Sequence, residues 1–357
     1  MQGIEALSTI ERLKILKSIS IGCTSDDDFE HYLTEFSGEL GVSEAKRRVE
    51  GLLLEDEFLL LCKIMNRCNS INGLDQGLSI DNGYKVPDYL ASFNMSDSLY
   101  DPDKKLSKLL AFVEVKTSEN SETKKISPSF LEKYSAYARS FDFPLLIASR
   151  LKLNELQQWW IIQTKQQFEN NGRKASMESL SNCVSQIIFN DYVISATQDI
   201  IVEIRFTEKP DKSKAYDPEY GYLHSVLVRS ELGIIKLENE HLSQNLFLDC
   251  FAQEFISKNE TSEFITVTRA IRVMQGQLLS DMLLRANFCM LDESGSKYSS
   301  ASRLLALVEN GKASIIYREE FETSLSFFNA NNLLFMITQI GDIASNIESV
   351  NLLMNEG

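Results

Sequence analysis

At 357 residues the chain has room for two domains of ordinary size, and 43% hydrophobic with 24% charged content excludes an extended disordered polymer. A formal charge of −15 excludes a generally basic coat for nucleic acid, because such binding rests on Lys and Arg neutralising phosphates. Six scattered cysteines without a CxxC pair, and three histidines apart from them, exclude a zinc or disulfide framework and fit a reducing cytoplasm.

The first residues space Ile4, Leu7, Ile10, Leu13 and Leu16 on one helix face, and Glu5, Glu11 and Arg12 interrupt any apolar run, so neither a signal peptide nor a membrane span is expected. Asp26, Asp27 and Asp28 open a second helix through about Leu40, which Gly41 breaks. A longer helix is predicted from about Ser43 to Cys68, before a loop from Asn69 to Gly77. Strands follow at Leu78–Ile80 and Tyr84–Phe93 around a turn at Asp81-Asn82-Gly83. After a polar loop from Asn94 to about Lys105, Leu109–Thr117 reads as a buried strand. A polar stretch from Ser118 to Ile126 leads to Ser127-Pro128, an N-cap followed by proline at the first helical position. That helix would place Phe130, Leu131, Tyr134, Tyr137, Ala138 and Phe141 along one side. Pro144–Ser149 and Trp159–Thr164 read as two more strands, with Trp159 and Trp160 as core packing rather than a base-stacking pair. The order is helix, three strands, helix, two strands.

Further on, Ile200–Phe206 is strand-like, polar Thr207–Gly221 suggests a linker or long surface loop, and Leu223–Val228 with Ile234–Leu237 suggests a hairpin. Mostly helical patterns run from there through Asn355. A domain boundary is expected near residue 210. Residues 1–100 carry 9 Lys/Arg against 17 Asp/Glu (−8), residues 101–176 carry 13 against 9 (+4), and residues 177–357 carry 14 against 25 (−11). The one positive third contains the strand Leu109–Thr117.

In LLAFVEVKT side chains alternate, so Glu114 and Lys116 share one face of the sheet while Val113 and Val115 point to the other. A carboxylate and an ammonium on so apolar a strand need an explanation, since burying them unpaired is costly. Asp88, in YKVPDYLASF, lies 26 residues upstream, where a hairpin return brings it beside Glu114. Pro87 lacks a ladder donor and suits an irregular position where a ligand would sit. Glu-x-Lys occurs three times, at Glu44-Ala45-Lys46, Glu114-Val115-Lys116 and Glu122-Thr123-Lys124, and only the middle one has a strand around it and an upstream Asp in register. The structural alternative is a salt bridge near a sheet edge, with Asp88 a solvated carboxylate beside a turn.

Pro87-Asp88 followed by Glu114-Val115-Lys116, within this order of elements, resembles the PD-(D/E)XK nuclease superfamily over roughly residues 43–165. The resemblance implies an α/β fold with a restriction-endonuclease-like core, a mixed sheet flanked by helices. It also implies that Asp88 and Glu114 bind Mg²⁺, with Mn²⁺ able to substitute, that the Val115 carbonyl is a further ligand, and that Lys116 assists the attacking water. Hard carboxylate oxygens suit Mg²⁺, which polarises a phosphoryl oxygen and lowers the pKa of a bound water.

On the helix from Ser43, Leu53, Leu54, Leu60, Leu61 and Ile64 cluster about one direction, with Glu57 near its centre, Glu50 close by and Glu55 on the opposite side. A carboxylate within an apolar stripe is an anomaly that a metal would explain. Glu57 is therefore expected as a metal ligand, with Glu50 next in line; the alternative is a Glu that reaches solvent or a Lys. Lys124, Lys125, Lys133 and Arg139 read as solvated charges rather than phosphate contacts.

The expectation is a cytoplasmic, Mg²⁺-dependent endonuclease that cuts DNA in restriction, phage defence or repair. Residues 1–210 would form the nuclease domain with its N-terminal helices. Residues 211–357 would form a mainly helical accessory α+β domain that binds a protein partner, a second copy or substrate; no membrane contact is expected. The alternatives are a non-catalytic subunit that keeps the nuclease fold, and an RNA-cleaving or effector-gated nuclease.

Overall fold

The computed structural model describes residues 7–23, 26–75, 83–96, 98–100, 106–117, 123–152, 157–210, 216–237, 242–251, 254–274, 276–289 and 300–356. The chain forms two compact units, one of residues 1–191, 288–315 and 340–357, the other of residues 192–287 and 316–339.

The first unit begins with α1 (Thr9–Gly22), α2 (Asp26–Phe36) and α3 (Val42–Ile64). Ser8 and Glu11 cap α1 reciprocally, each side chain accepting from the other's backbone N–H. Leu13, Leu16, Leu33, Ala45 and Val49 form the core that joins the three helices. Next come β1 (Cys68–Gly73), β2 (Tyr89–Asn94), β3 (Lys108–Lys116), β4 (Lys124–Lys125), α4 (Pro128–Arg139), β5 (Leu145–Lys152) and β6 (Gln158–Thr164). Five of these strands make one sheet in the order β1-β2-β3-β5-β6. All neighbours are antiparallel except β3 and β5, which run parallel because α4 carries the chain back across the sheet.

Ser127 caps α4 by accepting from Phe130 N at 3.4 Å, and Pro128 follows it. Loss of such a cap typically costs ~0.5–2 kcal/mol. Leu131, Tyr134 and Ala138 of α4 are buried on Phe112, Leu145 and Ile147 of the sheet, each large apolar side chain contributing ~1.5–3 kcal/mol by leaving water. The unit continues with α5 (Lys165–Asn170), β7 (Lys174–Ala175), which pairs with β4, and α6 (Ser185–Phe189).

The second unit takes β8 (Val193–Ala196), β9 (Ile200–Thr207), β10 (Tyr216–Asp217), β11 (Gly221–Arg229), β12 (Ile234–Leu237), α7 (Leu242–Asp249), β13 (Glu254–Glu260), β14 (Ile265–Ile271), β15 (Gly276–Leu278) and most of α8 (Leu279–Cys289). Strand β9 lies at the middle of a sheet ordered β10-β11-β9-β14-β13, to which β12 adds beside β11. The chain then returns to the first unit for α9 (Ala301–Glu309) and to the second for α10 (Arg318–Ala330) and β16 (Phe335–Thr338). It ends in the first unit with α11 (Ile343–Glu356). Phe247, Phe251, Phe321, Phe328 and Phe335 pack into the second unit's aromatic core.

The returning segments are fastened by specific contacts. Ser302 of α9 donates to Asp56 of α3, and Gln167 Nε2 donates to Asn346 Oδ1 of α11 at 3.1 Å. Gly341 has φ +76°, and a Cβ there would meet Ser181 O at 2.1 Å, so only glycine allows the chain to re-enter at this point.

The mixed α/β class agrees with expectation, but several details differ. The first strand is β1, at the segment read as a loop, because CNSING is an edge strand whose side chains are mostly in water and carry no apolar alternation. The strand expected at Leu78–Ile80 and the turn residues Asp81 and Asn82 lie outside the described residues. Strand β2 starts at Tyr89, so Asp88 sits at the strand's mouth. Phe130 and Phe141 are 49% and 52% exposed, not part of the buried side of α4. The part after residue 210 is not mainly helical, for β13 and β14 form a hairpin where helix was read. A boundary near 210 would fall between β9 and β11, which pair in one sheet, so the polar Thr207–Gly221 stretch is no linker between units; its residues 211–215 lie outside the described ones. Among the described residues, no helix is long and apolar enough to cross a membrane.

Candidate active site

The sheet register brings the expected acids together. Tyr89 of β2 stands opposite Val113 of β3, which puts Asp88 level with Glu114. Asp88 Oδ2 accepts from Val115 N at 2.7 Å, and its carbonyl accepts from Leu74 N at 2.9 Å, so backbone groups on both sides hold the residue. Val115 itself is buried and registers with Ala148 of β5.

Glu114, two residues beyond Phe112, faces the α4 side of the sheet and is 1% exposed. Its Oε1 accepts from Lys116 Nζ, while Oε2 is buried with no hydrogen-bond partner. The Tyr134 hydroxyl lies near the same carboxylate and favours its charged form, yet no bond of good geometry closes on Oε2. Burial first, then the charge of Asp88, pushes the Glu114 carboxyl up to about 8 despite Lys116. Burial alone would lower Lys116, but Glu114 and Asp88 outweigh it and keep the ammonium charged.

A third carboxylate comes from α3, and it is Glu55. Its carboxyl is pushed up to about 8 by burial and then by Asp88, against the pull of Lys116 and Lys17, with Glu114 adding to the rise. The helix meets the end of β3 one turn earlier, where Thr117 Oγ1 donates to Gly51 O at 3.4 Å. Glu57, the expected ligand, is elsewhere. It is 4% exposed, and its Oε1 accepts from Arg150 Nε at 2.9 Å and from Trp160 Nε1 at 3.0 Å. Arg150 of β5 pairs with its charge, and Trp160 of β6 adds a neutral hydrogen bond. Glu50 is half-buried and is not among the charges that bear most on Glu55 or Glu114.

Two residues beside the acids went unmarked in the sequence. Lys85 Nζ lies 4.4 Å from the Phe130 ring centre and 5.0 Å from that of Tyr134, and Lys116 Nζ lies 5.5 Å from the Tyr134 centre. Burial and then Lys116 lower the Lys85 ammonium from its ordinary range. The only signal for Lys85 was its place three residues before Asp88; Tyr134 read simply as core. Of the other basic candidates, Lys124 is 7% exposed and pushed down to about 8 by burial and then Arg150, and Arg139 pairs with Glu132. The third Glu-x-Lys begins at Glu122, outside the described residues, and Glu44 of the first is bound by Arg47 and Arg48.

Among the described residues, no three acidic, histidine or cysteine side chains are already gathered as a closed cage for an ion. The donor chemistry nevertheless fits a divalent cation: hard oxygens, an orphaned Glu114 Oε2, and two acids that burial and then Asp88 push up to about 8. A stability prediction follows. Folded Glu55 and Glu114 keep protons that the unfolded chain releases near 4.5, so metal-free stability should fall as pH rises from there through about 8. Thermal melting in EDTA should show a lower Tm at pH 8 than at pH 6, and Mg²⁺ should raise Tm more at pH 8; a metal-free Tm that climbs over this range contradicts it.

Comparisons with protein-family models, curated proteins and solved structures found no match, so the residues themselves carry the functional reading.

Proposed function

We propose that this chain is a metal-dependent phosphodiesterase that hydrolyses nucleic acid, built on a PD-(D/E)XK core and using Asp88, Glu114, Lys116 and Glu55. The observation that carries the reading is the Asp88–Val115 bond, which fixes one carboxylate beside a second, Glu114, whose Oε2 has no protein partner. The succession α3, three antiparallel strands, α4, a strand parallel to β3 and a final antiparallel strand supports the core assignment.

Asp88, Glu114 and the Val115 carbonyl would hold the ion, and Glu55 replaces Glu57 as the helix acid. When bound, Mg²⁺ or Mn²⁺ supplies a polarised phosphoryl oxygen and a water of lowered pKa. Lys116, kept charged at the rim of the site, orients the attacking water and offsets the negative charge that develops on the phosphoryl group. DNA is the first substrate class to test, in restriction, phage defence or repair.

The direct experiment offers the full chain plasmid, linear duplex and single-stranded DNA, and RNA, with Mg²⁺, Mn²⁺ or EDTA. Cleavage with either metal and none in EDTA is expected; cleavage in EDTA, or none of any substrate, overturns the proposal. Glu55→Gln should raise the Mg²⁺ concentration for half-maximal cleavage roughly tenfold or more. Glu50→Gln should leave it unchanged, and the opposite pattern would transfer the role to Glu50. One observation favours the non-catalytic alternative, namely that Lys116 already binds Glu114 as a structural pair would.

A further inference from the structure

Deepening the proposed function, on which it rests, a second observation concerns what the site binds. Phe130 stands in the first turn of α4 with half its surface in water, although its neighbours Leu131 and Tyr134 are buried. Lys85 Nζ lies over that ring at 4.4 Å, and among the described residues it makes no ion pair. Lys85 and Lys116 approach the same Tyr134 ring, at 5.0 and 5.5 Å from its centre, so their ammonium groups are at most 10.5 Å apart. An exposed ring and an ammonium that makes no ion pair among the described residues thus adjoin the acids through one tyrosine.

We infer that Lys85 and Phe130 form a nucleotide-binding step beside the acids, Lys85 taking a backbone phosphate and Phe130 stacking on an unpaired base. A base inside a duplex has its faces covered by neighbours, so a protein ring can stack only on one that is single-stranded, frayed or flipped out. Duplex tracking would call for many phosphate contacts, whereas this chain carries −15 overall and two lysines, Lys85 and Lys116, approach the Tyr134 ring. The substrate class is single-stranded nucleic acid or an unpaired end.

The test is fluorescence-anisotropy titration of the full chain in EDTA, where no turnover is expected. The probes are a labelled single-stranded oligodeoxynucleotide, its ribonucleotide counterpart and a blunt duplex. The wild type should bind the single strands more tightly than the duplex, and the better of the two identifies the sugar. Phe130→Ala should weaken single-strand binding about tenfold and leave duplex binding unchanged, and Phe130→Trp should retain it. Lys85→Gln should weaken binding and reduce the salt slope by about 0.7, with Lys312→Gln, an exposed control, unchanged. A preference for duplex overturns the inference. So does unaltered binding by Phe130→Ala and Lys85→Gln in a protein that still cleaves with Mg²⁺, which leaves the nuclease reading standing. If the wild type neither binds nor cleaves any nucleic acid, the nuclease reading fails and the nucleotide step fails with it.

Discussion

Lys116→Ala is expected to fold normally and to lose cleavage by about 10²–10³-fold, the usual cost of removing one group that stabilises developing charge. Its side chain is 31% exposed and sits at the end of β3, so truncation opens no core cavity. What it removes is the ammonium that Glu114 Oε1 now accepts from, which leaves a buried acid that burial and Asp88 already push up to about 8. Without Lys116 that carboxyl should hold its proton still more firmly and take up metal less readily. Turnover measured at saturating Mg²⁺, together with Tm, separates the two roles. A normal Tm with lost turnover marks catalysis, whereas a lowered Tm with full turnover would make the pair a structural salt bridge.

Glu57→Ala should have the largest effect on stability of any single change at these acids, about 3–5 kcal/mol, because it leaves Arg150 buried without the carboxylate it pairs with. Both side chains are 5% exposed, so solvent screening offers little relief. Glu57→Gln should cost less, since an amide oxygen can still accept from Arg150 or Trp160. Replacing Glu57 and Arg150 together with leucine and methionine should recover much of the loss, as buried ion pairs commonly do when exchanged for apolar residues of similar volume. Denaturant unfolding of the four proteins tests this, with the Mg²⁺ requirement of the folded variants as the second readout. A stable Glu57→Ala protein with an altered metal requirement would restore Glu57 as a ligand.

These two residues show where the sequence was informative. Strand β3 was legible because its apolar run is long and Glu114 and Lys116 are adjacent on one face. The start of α4 was legible because Ser127-Pro128 has a local physical meaning. Asp88 could be paired with Glu114 since a meander of antiparallel strands leaves few registers. The α3 acids were not legible in the same way. The helical wheel placed Glu57 correctly on the buried face, but it could not show that Arg150 and Trp160 meet it there. Arg150, in the otherwise apolar LLIASRLK, was the available clue, because a buried guanidinium requires an acid. Glu55 reaches the end of β3 from outside the apolar stripe, a position that only the packing of α3 on the sheet determines. The alternating membership of the C-terminal segments left no local trace, for helix-forming patterns carry no address.

The route of the chain also sets a timetable. Asp88, Glu114 and Lys116 leave the ribosome well before α9, fastened to α3 through Ser302 and Asp56, and before α11, which packs on β3 and α6. At about 5–20 residues per second, the stretch between Lys116 and Ile343 takes on the order of ten to fifty seconds to synthesise. During that interval, and in any chain that terminates before Gly341, the acids exist without α11 against β3. A site assembled in this way waits on a helix made long after its own acids.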